Sequence, residues 1–276
     1  MPASAPPSQP GPLTGRTALV TGVGRRRGIG FAIASRLAQA GANLVVHHWR
    51  PYDETQPWGG DDLAALESEL RAQLAPGARL DSVALDLAAP DAGESLVAQA
   101  VEAAGHLDVL VCNHAYDAGD GSLLDQTADV LDRHFAVNTR ATLLATKAFT
   151  AQHDGRAGGR VVWMTSGQQL GPMPGQIAYA TSKAALAGIT RSVAADLADR
   201  GILLNTVNPG PVNTGYLDDD SEGATPEGLA GLRAMFPGGR FGEPDDPARL
   251  VAWLVSDDGQ WMVGQVLNTE GGFRRG

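Results

Sequence analysis

Several features are scarce in this chain of 276 residues, and each scarcity excludes a class of function. There is one cysteine, Cys112, so neither an intramolecular disulfide nor a cysteine-based metal site can form. It ends the apolar run Val109-Leu110-Val111 and reads as an inert buried thiol. Positive charge is outweighed, because 21 Lys and Arg against 31 Asp and Glu leave a net charge of −10. That balance argues against nucleic acid or an anionic membrane as partner. No apolar run approaches a membrane span and no signal peptide is visible, so a cytoplasmic protein is expected. Internal repeats and dividing linkers are missing as well. Residues 1–12, rich in proline and small side chains, read as a disordered tail.

What remains, 13–276, has the length of a single α/β domain with a core that needs no staples. Short apolar runs alternate with longer amphipathic ones. The strand candidates are Thr17–Val20, Asn43–His48, Leu80–Leu85, Val109–Cys112, Arg160–Thr165, Leu203–Val207 and Gln265–Asn268. Helix candidates lie near 29–40, 61–74, 91–104, 128–153, 178–200 and 245–256. Such alternation predicts a doubly wound parallel sheet of seven strands with helices on both faces. Ligands of such sheets bind beyond the carboxyl ends of the strands. The notable motifs all fall there, or on the helix that follows.

The central one is Tyr179-Ala180-Thr181-Ser182-Lys183, at the start of a helix. Four residues are about one turn, so Tyr179 and Lys183 share a face. A free phenol ionises near pH ~10, and a neighbouring ammonium is expected to lower that value until Tyr179 can exchange a proton. Alone the pair is weak evidence, since a tyrosine beside a lysine is usually just surface.

The turn Thr21-Gly22-Val23-Gly24-Arg25-Arg26-Arg27-Gly28-Ile29-Gly30 joins the first strand to the first helix. Its glycines let backbone approach a pyrophosphate, and the helix amino terminus offers free N–H groups and a positive dipole. A bare tight turn is the plainer reading. At the end of the second strand, His47-His48-Trp49-Arg50 carries no acid for ribose hydroxyls, and none appears before Asp53. The two histidines point to opposite faces of a strand, which favours packing over metal binding. Asp86, followed by Leu87, closes the third strand and suits a hydrogen bond to an adenine amine, while Pro90 and Asp91 are better placed to start the next helix. Asn113-His114-Ala115 closes the fourth, where small residues would let backbone pass a ligand.

With these residues, the chain from Leu13 onward resembles the short-chain dehydrogenase/reductase family, in its keto-reducing branch similar to 3-oxoacyl-acyl-carrier-protein reductases. Carrying the resemblance are the glycine turn, Asp86, Asn113, Asn138, Ser166 thirteen residues before Tyr179, Lys183, Asn208-Pro209-Gly210-Pro211-Val212-Asn213-Thr214 and the closing Gly264-Gln265-Val266-Leu267-Asn268-Thr269-Glu270-Gly271-Gly272. The resemblance implies a Rossmann fold and a hydride transfer between nicotinamide and a carbonyl or alcohol. It implies that Tyr179 exchanges the proton, Lys183 tunes it and holds the ribose, and Ser166 donates to the substrate oxygen. It implies further that Asn138 holds a water of a proton relay. Gly22, Gly28, Ile29, Gly30, Asp86, Leu87, Asn113, Ala115, Pro209, Gly210, Val212 and Thr214 would border the cofactor, and 213–240 would fold over substrate.

Two departures stand out. The glycine turn is two residues longer than usual, as in enoyl reductases, although those space tyrosine and lysine more widely. Cys112-Asn113-His114-Ala115 replaces the usual Asn-Asn-Ala-Gly, and His114 would face nicotinamide or substrate, as packing or to tune the site. Arg25, Arg26 and Arg27, with Arg50, are placed to meet a 2′-phosphate, so NADPH is expected over NADH. The acidic stretch from Asp218 to Glu222 reads as a solvated loop, and Gln168–Pro174 as another wall for a neutral or moderately apolar ketone. An NAD-linked alcohol or sugar dehydrogenase is the alternative enzyme, and a dinucleotide sensor without turnover the alternative from another class. The resemblance also implies a homo-oligomer, a dimer or tetramer, with slim helices bearing Ala184, Ala185, Ala187, Ala194 and Ala195.

Overall fold

Short runs of β-branched and aliphatic residues separated by glycine turns produce seven parallel strands, as a computed structural model describes for residues 11–57, 59–219, 221 and 225–275. They are β1 (Thr17–Val20), β2 (Asn43–His48), β3 (Leu80–Ala84), β4 (Val109–Cys112), β5 (Gly159–Met164), β6 (Ile202–Asn208) and β7 (Val266–Asn268). The order across the sheet is β3-β2-β1-β4-β5-β6-β7. The order therefore reverses between β1 and β4, and a crevice opens there at the carboxyl ends. In register, Leu19 stands beside Val45 and Leu110.

Alternation along the strands sorts side chains into two cores. Ala18, Val20, Val46, Val111 and Val162 face α1 (Ile29–Gln39), α3 (Leu63–Arg71) and α9 (Asp245–Val255). Leu19, Val45, Leu110, Val161 and Trp163 face α4 (Ala92–Ala104), α6 (Ala141–Gln152) and α7 (Ile177–Ala198). Burying each such side chain contributes roughly 1.5–3 kcal/mol, so helices of modest propensity are held by the faces they cover. Cys112 is buried and free, its thiol pushed up to about 12 by burial.

Four local differences from the sequence reading have physical causes. The helix expected over 128–153 is α5 (Ala128–His134), a π-helical segment Phe135–Arg140, and α6. The wider turn inserts a residue without breaking the apolar pattern, so periodicity gives no sign of it. A short α2 (Arg50–Asp53) has Pro51 in its first turn, and α8 (Pro226–Ala234) starts where the Thr225 hydroxyl accepts from Gly228 N. The latter was readable as a cap followed by proline. Asp91 holds the N-cap position of α4, yet its side chain makes no cap bond.

Of the disordered tail expected at 1–12, residues 1–10 lie outside the described residues, whereas 11 and 12 form part of a turn closed by Thr14 N on the Gly11 carbonyl. Gly11 belongs to a turn packed against α1, where an added Cβ would stand 2.3 Å from the Ala40 carbonyl oxygen. Among the described residues, no helix is long and apolar enough to cross a membrane. Nor does any group of three His, Cys, Asp or Glu assemble to hold a metal ion there.

Candidate active site

Two cavities, of about 250 and about 840 Å³, occupy the crevice and share Arg25, Ile29, Tyr52, Asp53, Asn113, Ala115 and Thr214 as walls. The smaller is floored by Gly22, Gly24, Gly28, Asp86, Leu87, Asn113 and His114. The larger holds Ser166, Tyr179, Lys183, Pro209, Gly210 and Val212, with Pro172, Met173, Pro174, Tyr216 and Phe273 around them.

The glycine turn is shaped by close approach. Gly22 has φ +72°, and a Cβ on it would come within 2.9 Å of Asn113 Nδ2. A Cβ on Gly30 would stand 2.2 Å from the Gly22 carbonyl oxygen, so Gly30 lies beneath the turn rather than in a cavity. Gly28 is the N-cap of α1 and supplies no side-chain acceptor to its first N–H groups. A backbone cradle opening onto an uncapped helix end suits the diphosphate of a dinucleotide. His47 pins the turn from β2, its carbonyl accepting from Val23 N at 2.8 Å and its Nδ1 from Gly22 N at 3.4 Å. Nε2 donates to the Leu85 carbonyl, and burial lowers the imidazole to about 4, so it stays neutral. Two adjacent histidines gave no hint of that role.

The four arginines do not converge. Arg26 meets Asp61, Arg27 makes a two-pronged pair with Asp218, and Arg50 meets Glu54 one turn away. None of the three lines either cavity. Arg25 alone does, its Nη2 donating to the Thr214 carbonyl at 2.5 Å. The extra residues of the turn splay the side chains, and loops rich in aspartate collect them. Asp53 faces the same place. A Cβ on Gly24 would touch its carboxylate, and burial raises Asp53 to about 6 against the opposing pull of Arg25. An acid absent from the end of β2 thus reaches the smaller cavity from α2. Asp86 lines the smaller cavity, accepts from Ala88 N and pairs with Arg133.

In the larger cavity, Tyr179 and Lys183 project from one face of α7, the ammonium 5.9 Å from the ring centre. Lys183 is buried and donates to the carbonyls of Met164 at 3.0 Å and His114 at 3.4 Å. Burial lowers it to about 8. Tyr179 is raised rather than lowered, by burial and then by the Asp117 carboxylate, against a hydrogen bond from Ser166. Lys183 is not among the groups that shift the phenol, and two of its three protons go to these carbonyls. Asn138 lies in the π segment, its Oδ1 accepting from Tyr116 N at 2.7 Å and its Nδ2 donating to Tyr116 O and Ser182 Oγ. Its side chain is a brace between loop and α7.

His114 turns away from the substrate side. Thr21 Oγ1 lies 2.7 Å from Nδ1, and Nε2 lies 3.0 Å from the Val137 carbonyl, which places the proton on Nε2. Burial, then Lys183, hold the imidazole well below its usual range, so it stays neutral. The acidic stretch is held rather than free: Asp218 meets Arg27 and Asp219 meets Arg233, while 220 and 222–224 lie outside the described residues. Two wall residues that sequence reasoning missed are Tyr52, whose hydroxyl bonds the Asp117 carboxylate across the crevice, and Arg275, paired with Glu270.

Residues 22–274 match the family described as enoyl-(acyl carrier protein) reductase. An uncharacterized oxidoreductase of Bacillus subtilis, YjdA, is 35% identical over 263 residues, covering 95% of this chain and 98% of that protein. Human dehydrogenase/reductase SDR family member 4 is 35% identical over 266 residues, 95% of this chain and 88% of its own. A short-chain dehydrogenase from Burkholderia cenocepacia, solved in complex with NADP, superposes with a TM-score of 0.80 at 35% identity, covering 94% of this chain and 98% of that one. With these matches over nearly its whole length, the chain is a member of the short-chain dehydrogenase/reductase family of oxidoreductases.

Proposed function

We propose that the protein is an NADPH-dependent ketoreductase in which Tyr179 is the general acid. The observation that carries this reading is the larger cavity, where Ser166, Tyr179 and Lys183 meet beside the Pro209–Thr214 segment and continue into the glycine cradle. A bound nicotinamide would supply the hydride to the carbonyl carbon. Ser166 would hold the carbonyl oxygen by a hydrogen bond, and Tyr179 would deliver its hydroxyl proton to that oxygen as charge develops. Burial keeps Tyr179 protonated, the form a reductase needs. Lys183, lowered to about 8 by burial and 5.9 Å from the ring, would place positive charge near the phenolate left behind, with Asn138 fixing α7 against the loop after β4. The mostly apolar rim of Pro172, Met173, Pro174, Tyr216 and Phe273 suits a neutral ketone. An assembly of two or four copies fits the reading as well.

Arg25 is the residue we assign to the 2′-phosphate. A second reading, an NAD-linked alcohol or sugar dehydrogenase, is favoured by one observation: the Asp53 carboxylate beside Gly24 is placed to accept from ribose hydroxyls and to repel a phosphate. The two readings separate in one assay, kcat/KM for NADPH and NADH over a panel of β-ketoesters, cyclic ketones, quinones and keto-sugars. A charge-assisted contact contributes ~1.5–3 kcal/mol, so NADPH should be preferred at least about tenfold and Arg25→Ala should erase most of that. Arg27→Ala and Arg50→Ala should leave it unchanged. A wild-type preference for NADH, reversed by Asp53→Asn, would establish the second reading instead.

A further inference from the structure

The helix that carries Tyr179 and Lys183 begins without a cap of its own, since Gln176 at its N-cap makes no side-chain bond. Its first donors are taken by a distant loop. Asp120 Oδ2 accepts from Tyr179 N at 2.8 Å, Oδ1 accepts from Ala178 N at 3.0 Å, and the Gly121 carbonyl accepts from Ile177 N at 3.4 Å. The Asp120 side chain is only 5% exposed and lines neither cavity. It is held in turn by Gln126 Nε2 at 3.1 Å and by Gly121 N at 2.8 Å. The four hydrogen bonds and the dipole of α7 keep the carboxylate ionised, below its usual range despite burial.

Resting on the ketoreductase reading, we propose that Asp120 is a positioning residue for the proton transfer: it fixes the first turn of α7, and so the Tyr179 hydroxyl, against the loop that floors the cofactor crevice. An ordinary cap stabilises a helix from the residue beside it. This one reaches across 58 residues of sequence, from the loop that leaves β4. The same loop is tied to the π segment through Tyr116 and Asn138, and Asn138 is tied to α7 through Ser182, whose hydroxyl donates to the Tyr179 carbonyl at 2.8 Å. Tyr179 is therefore clamped at both its N–H and its C=O by groups that answer to the crevice floor. Losing one clamp lets the phenol drift by fractions of an ångström, enough to slow a transfer that depends on near-contact geometry.

The test compares Asp120→Ala and Asp120→Asn with Asp62→Ala, which removes the side-chain cap of α3 and lies outside the site. Steady-state kinetics with the best ketone of the panel, cofactor binding by fluorescence titration, and amide exchange at Ala178 and Tyr179 are the readouts. We expect Asp120→Ala to lower kcat by about 10- to 100-fold, with the cofactor Kd within about twofold, as an interaction felt mainly in the transition state requires. Asn keeps one acceptor, so Asp120→Asn should recover part of kcat while remaining about 3- to 10-fold below wild type. Exchange at Ala178 and Tyr179 should quicken in both, and in neither case should Asp62→Ala follow. Wild-type kcat in a folded Asp120→Ala, or a loss confined to cofactor binding, would overturn the proposal. If Asp120→Ala does not fold, wild-type kcat in Asp120→Asn overturns it. A wild-type enzyme without turnover on any carbonyl fails the functional reading itself, and the positioning role with it.

Discussion

The smaller cavity of the crevice turns on Asp53, a carboxylate raised by desolvation and opposed by Arg25. Its pKa rises from 3.8 to about 6, so the native state binds the proton more tightly than the unfolded chain. Stability must then fall as pH rises through that window, and the penalty is complete above pH 6 and absent below the unfolded value. Because Asp53 is partly open to solvent, the full shift overstates the effect, and about 1 kcal/mol is a fair magnitude. Asp53→Asn should therefore raise the urea midpoint at pH 8 and leave it nearly unchanged at pH 4. An equal gain at both pH values would mean that packing, not charge, is responsible. The arginines carry the opposite lesson. Arg26, Arg27 and Arg50 were visible in the sequence as positive charge near the phosphate turn, but Asp61, Asp218 and Glu54 claim them once the loops are brought together. Composition gives charge, and only the fold decides which partner an arginine meets.

Elements differ in how much of themselves they display in sequence. The strands and the long helices were legible because two-residue and 3.6-residue apolar periods follow from burial on one face. Ser166, Tyr179 and Lys183 were legible too, since a strand end and one helical turn bring them together whatever the loops do. The π segment Phe135–Arg140 was not, and neither was its support. There Ala141 N reaches back to the Ala136 carbonyl, His114 Nε2 donates to the Val137 carbonyl, and Thr142 Oγ1 donates to the Asn138 carbonyl. His114→Ala would remove the imidazole partner of the buried Val137 carbonyl, a loss of about 1–3 kcal/mol, while the Thr21 hydroxyl keeps the Val111 carbonyl at 3.3 Å. Its effect should be read as a lower denaturation midpoint, with a further drop in kcat because the loop whose residue 114 carbonyl receives Lys183 loses its side-chain anchor. A midpoint unchanged within error would show that the imidazole is only filler.

At the scale of the whole molecule, α7 has two sides. Ala187 and Ala194 are buried beneath it, whereas Ala184 and Ala195 are exposed, and a Cβ on Gly188 would meet nothing within 4 Å. Leu131 and Phe135 are also exposed, at 38% and 50%, on α5 and the π segment, which both pack against α7. A slim helix face beside exposed aliphatic and aromatic side chains is a surface on which a second copy can lie closely. Light scattering at micromolar concentration should report a dimer or tetramer, and a monomer would remove the expectation. The small-residue pattern was visible in the sequence, but the division of those alanines between core and surface needed the fold.

All three scales meet at one hydroxyl. Tyr179→Phe keeps the ring, the cation contact and the packing of α7 and removes only the proton. With NADPH and a ketone that wild type reduces, turnover should fall roughly 10²–10⁴-fold, the usual contribution of a general acid, while the cofactor Kd is preserved. Reduction by Tyr179→Phe at near the wild-type rate, with cofactor bound as before, would contradict the assignment of Tyr179 as the proton donor.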